Sequence, residues 1–406
     1  MVSYEEALQL VLENCSQMPP RRVKLEDTLG LVLSEDIFSP ENIPSFDNSA
    51  MDGFAIRAED VTGASPENPI PLKVINDLKA GSFPQRELRK GEAMRIMTGA
   101  PLPPGADAVL RKEYTAFKEG LVLAQKPVKK GDDIRLKGED IKLGDQVLKK
   151  GTQIQEGEVG ILASLGIEKV PVYPPPLVAI VTTGDELVGL SEKLTPGKIR
   201  DANTFTLLFQ VKKTGARART FPRIPDNKDE IRKALEEAKK CDVIITTGGV
   251  SLGEYDFVKE VLEEMGGTLH FWKVKQRPGH PLAFWILEGK PVFGIPGNPA
   301  ASIICFEEYV RPALRKMMGF GKIFRPQATA RMGVDYSKES KGRLQFLRVK
   351  LERKETLWAY PSGAQGSAIL TSMAAADGIG IIPEDVTFLK KGEEIQVHLI
   401  HLPEDH

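Results

Sequence analysis

The feature that most constrains this chain is the stretch from 173 to about 319, where short apolar runs alternate with helical patterns. An apolar run at 177–183 ends in Thr-Thr-Gly-Asp-Glu. Helical periodicity follows at 202–214, then a strand-like run at 218–224, a helix at 228–239, a strand at 242–247 and a helix at 257–265. Strands at 268–274 and 291–295 and a helix at 300–317 complete the series. Helices of this length between short strands predict βαβ units and a parallel sheet. Strands without a polar face predict that both faces of the sheet are covered. Pro174, Pro175 and Pro176 mark where this domain begins, because consecutive prolines form a stiff extended connector.

The flanks read differently. From 44 to 141, short strand-like runs at 54–57, 72–75, 93–97, 108–112 and 121–124 are separated by Gly and Pro turns, which predicts a mainly β module. Segments 26–43 and 142–173 flank that module and pair as a smaller linking domain. Strand-like runs at 344–350, 357–360, 378–382 and 395–400 predict a C-terminal β-barrel over 324–406. The fold class is thus α/β plus β, in several domains.

Composition narrows the function. Lys and Arg number 55 and Asp and Glu 56, so bulk charge offers nothing to nucleic acid or to an acidic membrane. Residues 1–16 form an acidic helical pattern with Ala7, Leu8, Val11 and Leu12 on one face, unlike a signal peptide. Nothing approaches the roughly 20 apolar residues of a membrane span. The expected location is cytoplasmic. Cys15, Cys241 and Cys305 are far apart and outside any C-x-x-C pair, which argues against a zinc site or a disulfide framework. Any soft ligand for a transition metal must therefore come from a bound molecule.

Three Gly-containing turns end strands of the α/β segment: 182–186, 246–251 and 295–302. In open α/β sheets, ligands bind beyond the carboxyl ends of the strands. Backbone amides at such turns and at helix starts hold anions. Gly184, Gly248, Gly249, Ser251 and Asn298 are candidate ligand contacts on this reasoning, and Ser302 is placed to donate to an oxyanion. Asp185, Glu186 and Asp256 stand beside the turns and suit Mg²⁺, which takes one or two carboxylates together with phosphate oxygens and water. Helix N-terminal acids facing the dipole are the alternative. Lys273, Lys275, Arg277 and His280 surround a Pro-Gly turn and form a candidate oxyanion cluster, with a solvated basic loop as the alternative. No G-x-x-x-x-G-K-[ST] and no G-x-G-x-x-G after a first strand is present, which disfavours P-loop and dinucleotide enzymes.

Nine motifs in one order carry a further reading: DNSAMDGFA (47–55), MTGAPLPPGADAV (97–109), RLKGEDI (135–141), TTGDEL (182–187), TTGGVSLGEYDF (246–257), RPGHPLAF (277–284), IPGNPAAS (295–302), GRLQFLRV (342–349) and AQGSAI (364–369). Together they make the chain resemble the molybdopterin molybdotransferase family, to which bacterial MoeA proteins and the C-terminal domain of gephyrin belong. The resemblance covers nearly the whole chain. It implies an N-terminal helix (1–25) packed on a molybdopterin-binding-type α/β domain (174–323). It also implies a homodimer whose active cleft is shared between subunits. The implied reaction is molybdenum insertion: adenylyl-molybdopterin is cleaved in the presence of molybdate or tungstate, AMP leaves, and the metal is placed on the pterin dithiolate. Mg²⁺ is the implied cofactor, and a molybdopterin adenylyltransferase is the implied partner.

Carried over residue by residue, the family's functional positions fall on Asp52, Thr98, Arg135 and Asp140 in the β module. They fall on Glu186, Asp226, Asp256, Lys273, Arg277, Pro296 and Pro299 in the α/β domain, and on Arg348 and Ser367 near the C-terminus. The catalytic set implied is Asp52, Thr98, Asp140, Glu186 and Asp256, with molybdate near Arg348 and Ser367. The chain departs from the family where K-P-G-K-P is common: it has Arg277-Pro278-Gly279-His280-Pro281. A molybdopterin adenylyltransferase and a non-catalytic molybdopterin-binding scaffold are the competing readings.

Overall fold

In the computed structural model, which describes residues 1–248, 257–338 and 341–401, the chain falls into two units. The first comprises Met1–Glu35, Gly151–Gln155 and Lys169–His406; the second comprises Asp36–Lys150 and Glu156–Glu168.

The centre of the first unit is a six-stranded sheet in the order Arg217–Thr220, Leu177–Thr182, Val243–Thr247, Lys290–Ile295, Ala283–Leu287, Thr268–Trp272. Every residue of Val243–Thr247 is buried, as both-face coverage requires. On one face lie Leu207 and Val211 of the helix Asn203–Thr214 and the buried residues of 305–318. On the other lie Ile231, Ala234 and Leu235 of Lys228–Ala238 and Val258, Val261 and Leu262 of Phe257–Glu264. Each fully buried aliphatic side chain contributes roughly 1.5–3 kcal/mol.

The sheet is parallel only to a degree. The strand Ala283–Leu287 runs antiparallel to both of its neighbours, a departure from the all-parallel expectation. The cause is a tight hairpin at Leu287–Lys290, in which Glu288 (φ 51°) and Gly289 (φ 76°) are both left-handed. Two such residues in succession match the right-handed twist of the flanking strands. The expected single helix at 300–317 is an α-helix Pro299–Cys305, a π-helical turn Phe306–Val310 and an α-helix Arg311–Met317.

The N-terminal helix Tyr4–Glu13 starts at a capping box: Ser3 Oγ accepts from the Glu6 amide at 3.1 Å, and the Glu6 carboxylate accepts from the Ser3 amide at 2.8 Å. Its Ala7 and Val11 join the core of the six-stranded sheet. The strands Arg21–Lys24, Lys169–Tyr173 and Val32–Leu33 form a small sheet of their own.

The C-terminal region is a closed five-stranded barrel. Leu344–Arg353 pairs with Leu357–Pro361 and with Gly378–Ile382; the latter continues through Glu394–Leu399 to Gln327–Met332, which returns to Leu357–Pro361. Gln276–Arg277 adds to Leu344–Arg353 in parallel.

The second unit is built on another six-stranded sheet, in the order Ala108–Arg111, Gly53–Ile56, Glu92–Ile96, Ile70–Leu78, Leu121–Ala124, Thr115–Lys118. Its two edge strands are joined by the short turn Lys112–Tyr114, so the sheet curls until its edges approach. Among the described residues, no helix is long and apolar enough to cross a membrane.

Candidate active site

The strands Leu177–Thr182, Val243–Thr247 and Lys290–Ile295 end at one level, with Thr182 opposite Thr247 and Thr247 opposite Ile295. A cavity of about 540 Å³ lies beyond these ends. Of the residues expected to contact a ligand, it is lined by Glu186, Gly248, Pro296, Asn298 and Pro299. Gly248 is required by close approach as well as by its φ of 87°, because a Cβ there would meet the Thr183 carbonyl oxygen at 2.4 Å. Gly184, Asp185 and Asp226 belong to the adjoining turn. The Gly184 amide donates to Ile224 O (3.2 Å), the Asp226 amide to Asp185 Oδ1 (3.2 Å) and the Asp185 amide to Asp226 Oδ2 (3.4 Å). Gly249, Ser251 and Asp256 lie outside the described residues.

Sequence reasoning missed the polar frame of this cavity. Asn203, 8 % exposed, donates its amide to Thr247 Oγ1 (3.0 Å) and to the Gly297 carbonyl (2.8 Å), so one side chain ties two of the three turns together. Thr182 Oγ1 meets Thr204 Oγ1 at 2.7 Å, and the Thr204 hydroxyl donates to Asp201 at 2.5 Å. Polar residues at the start of a predicted helix look like caps, so nothing in the sequence marks these as part of a site.

The helix start at Pro299 is already engaged. The amides of Ala300 and Ala301 donate to the Ser367 carbonyl at 3.0 and 3.2 Å, and Ser302 is fully buried. Two amides expected to seat an anion are thus taken by the loop that carries Ser367, whose neighbour Ala368 lines the cavity. That loop is held from the barrel by Arg348. The Arg348 side chain is fully buried; Nη2 donates to Ala364 O (3.0 Å) and Gly366 O (3.1 Å), while Nε and Nη1 have no partner among the described residues. Burial pulls its guanidinium below the ordinary arginine value.

Lys273 and Arg277 are on the stretch that leads to Pro281, itself a lining residue. Lys273 is left-handed (φ 70°), and its ammonium lies 4.0 Å from the centroid of the Trp272 ring. His280 donates from Nδ1 to the Val274 carbonyl at 2.7 Å, which commits that proton to the loop backbone.

In the second unit, three motifs converge on residues 47–53. The Asp52 carboxylate accepts from the Thr98 amide (2.8 Å) and hydroxyl (2.9 Å), which joins the 97–101 turn to it. Asp47 accepts from the Lys137 amide at 2.7 Å, and Arg135 pairs with Asn48 across a short ladder. The Thr98 amide, then its hydroxyl, then Lys112 and Arg95 hold the Asp52 carboxyl below the usual carboxylate value. Gly53 permits the close fit behind Asp52, since a Cβ there would lie 2.1 Å from the Leu110 carbonyl oxygen. Asp52 lines a cavity of about 650 Å³, whereas Asp140 lines a separate depression with Asp145 and Ile161.

Among the described residues, no three His, Cys, Asp or Glu side chains cluster as a metal site. Glu186 and Asp201 are the carboxylates that line the α/β cavity, and a Mg²⁺ ion that completes its shell with phosphate and water needs only one or two protein carboxylates.

Family models match the chain in three consecutive regions: the MoeA N-terminal region (domain I and II) over 2–166, a probable molybdopterin binding domain over 179–316, and the MoeA C-terminal region (domain IV) over 329–400. A molybdopterin molybdenumtransferase of Staphylococcus epidermidis is 36% identical over 403 residues, covering 98% of this chain and 95% of the relative. One of Staphylococcus aureus is 36% identical over 400 residues, with the same coverage. A solved molybdopterin biosynthesis MoeA protein from Pyrococcus horikoshii superposes with a TM-score of 0.80 at 34% identity, covering 98% of this chain and 100% of that one.

Proposed function

The chain belongs to the molybdopterin molybdenumtransferase family, and from that premise we propose that it is a molybdenum insertase of cofactor biosynthesis. Adenylyl-molybdopterin and molybdate are its substrates, water cleaves the bond that joins the pterin phosphate to AMP, and the metal passes to the pterin dithiolate. The observation that carries this reading is the single cavity at the strand ends, which gathers Glu186, Gly248, Pro296, Asn298 and Pro299 in a chain that matches its relatives from end to end. The adenylyltransferase alternative leaves the family regions on either side of the molybdopterin binding domain without a role.

The residues divide the work. The Gly248 and Pro296–Pro299 turns seat the pterin and its phosphate, framed by Asn203. Arg348 supports the oxyanion role, because its Nε and Nη1 are buried donors without a partner among the described residues and such donors cost roughly 1–3 kcal/mol each when left unmade. Ser367, on the loop that Arg348 holds, stands with it at the proposed molybdate seat. Asp52, held ionised by Thr98, and Asp140 act from the β module together with Arg135; Lys273 and Arg277 complete the anion contacts. Mg²⁺ belongs to this proposal, with Glu186, Asp185 and Asp256 as its carboxylates, and it would supply charge neutralisation at the phosphate. The dithiolate of the substrate supplies the soft ligands, consistent with Cys15, Cys241 and Cys305 all being buried.

The proposal extends to a cytoplasmic homodimer with a shared cleft, to a molybdopterin adenylyltransferase as supplier of substrate, and to the division into an N-terminal helix, a linking domain, a β module, an α/β domain and a barrel. The test is AMP release from adenylyl-molybdopterin with Mg²⁺, with and without molybdate or tungstate. Oxyanion-dependent release is expected, and the better oxyanion names the metal. Tight pterin binding without release would replace the enzyme with a scaffold.

A further inference from the structure

The AQGSAI motif contributes Ser367 to the insertase reading and leaves Gln365 without a role. Gln365 is half-buried, and its carboxamide is bonded at both ends. Oε1 accepts from the Arg348 amide at 3.0 Å. Nε2 donates to the Arg348 carbonyl at 3.2 Å and to the Gly363 carbonyl at 2.8 Å. One side chain thus grips both main-chain polar groups of a single residue, as a paired strand would. Few side chains can do so: a carboxylate has no donor, an ammonium has no acceptor, and a carboxamide carries both on one plane.

The grip falls where a strand stops. Leu344–Arg353 and Leu357–Pro361 pair in register from Arg353 with Leu357 to Val349 with Pro361. The next pair in that register is Arg348 with Ser362, and it is half made. The Ser362 amide donates to the Arg348 carbonyl at 3.0 Å, but the Arg348 amide goes to Gln365 instead of completing the exchange. The Ser362 hydroxyl, 2.6 Å from Ser372 O and 3.1 Å from Arg348 O, adds a further contact there. From the other direction, Arg348 Nη2 donates to the Ala364 and Gly366 carbonyls. Main chain and side chain of Arg348 are therefore both locked to one loop, 362–367. That loop reaches the cavity at the strand ends, where the Ser367 carbonyl accepts from the Ala300 and Ala301 amides and Ala368 is in the lining.

What the arrangement leaves over is Nε and Nη1 of Arg348, buried donors without a partner among the described residues. Donors kept for a ligand must be held still, because a misplacement of about 1 Å can cost about 100-fold in rate. Resting on the insertase reading above, we propose that Gln365 is the positioning residue of the oxyanion seat. It touches no substrate; it fixes the Arg348 main chain and the Ser367 loop, so that the two remaining donors of Arg348 meet an oxyanion in one geometry.

The test is the molybdate dependence of AMP release by the full-length protein carrying Gln365→Met, which keeps the side chain's length and removes all of its hydrogen bonds. KM for molybdate is expected to rise roughly 10- to 100-fold, with kcat at saturating molybdate within about twofold of wild type. A merely structural role would lower kcat by reducing the active fraction and leave KM for molybdate unchanged, and that result overturns the proposal. Gln396→Met is the control: it removes a hydrogen bond to Thr329 on other strands of the same barrel and should keep the wild-type KM. Equal shifts in the two variants overturn the proposal. Should Gln365→Met fail to fold, Ser362→Ala carries the test. It removes one contact with the same carbonyl, so KM for molybdate should rise about 2- to 10-fold, the worth of one hydrogen bond; an unchanged KM overturns the proposal. Equilibrium dialysis of molybdate separates this idea from the insertase reading. Oxyanion-dependent release with a wild-type KM in Gln365→Met sinks the positioning role alone. Molybdate binding that weakens in Gln365→Met, without any release by the wild type, sinks the insertase and keeps the seat; neither release nor binding sinks both.

Discussion

Replacing Gly53 with alanine should push a pair of strands apart and displace Asp52. Gly53 lies in ladder pairing with Arg111, next to Phe54 with Leu110, and a Cβ on it would sit 2.1 Å from the Leu110 carbonyl oxygen and 2.9 Å from its carbon. Ordinary contact begins near 3.4 Å, so the backbone must yield by about 1.3 Å, the difference between the two. The obstacle is main chain, and no rotamer can relieve it. Overpacking costs about 1–3 kcal/mol, and each ladder hydrogen bond stretched beyond use adds about 1 kcal/mol, for roughly 2–4 kcal/mol together. Tryptophan emission would miss this, since Trp272, Trp285 and Trp358 all belong to the other unit. Amide exchange by mass spectrometry reads it directly: peptides covering 53–56 and 108–111 should exchange about 30- to 700-fold faster. Gly160→Ala is the control. Gly160 is inside the helix Glu156–Ser164 with nothing within 4 Å of its would-be Cβ, so the same change there should stabilise by about 1 kcal/mol. Exchange in Gly53→Ala within twofold of wild type would refute the steric argument.

Other outcomes follow from single contacts. Thr98→Ala removes the hydroxyl bond to Asp52 and keeps the amide bond, so the Asp52 carboxyl should rise toward its ordinary value of 3.8. A lowered carboxyl contributes stability above its unfolded value and loses it as pH falls through the folded one; an acid limb of turnover set by Asp52 should therefore move upward in the variant, and a limb that stays put assigns it elsewhere. Asn203→Ala unties the Thr247 and Gly297 turns. It should lower AMP release more than tenfold and cost about 1–3 kcal/mol in denaturant, and unaltered release would remove Asn203 from the site. The three thiols should resist an aqueous disulfide reagent in the native protein and all react in denaturant, because burial keeps them protonated, with Cys15 pushed up to about 12.

The α/β alternation was legible because the central strands there are short apolar runs bounded by Gly, Pro or Asp, and periodicity reports such runs well. The strand Ala283–Leu287 escaped because its hairpin turns on Glu288-Gly289 rather than on Asn-Gly or Asp-Gly, the usual signal. Thr115–Lys118 escaped because four residues at a curled edge are too short to show a period. Within the site, the Asp52–Thr98 pair spans 46 positions in sequence, and no spacing rule reaches that far; the family resemblance alone marked both residues. Asn203 carried no such mark, and its two hydrogen bonds exist only once two separate turns have been brought to the start of its helix.

The missed antiparallel strand also explains why Pro281, at the end of the 277–281 stretch, lines the α/β cavity. Ala283 begins its strand opposite Gly294, near the end of Lys290–Ile295, and opposite Trp272, the end of Thr268–Trp272. The chain therefore leaves one strand and enters the next at the same edge of the sheet where the three Gly-containing turns emerge. Had Ala283–Leu287 run parallel, its first residue would lie at the far edge, and a crossover of a dozen or more residues would be needed to reach it. Only ten residues separate Trp272 from Ala283, enough for a loop that stays at the carboxyl ends and delivers Pro281 to the lining. The reversal of one strand is thus what brings Pro281, at the end of the basic stretch, to the edge of the sheet where the Gly-containing turns emerge.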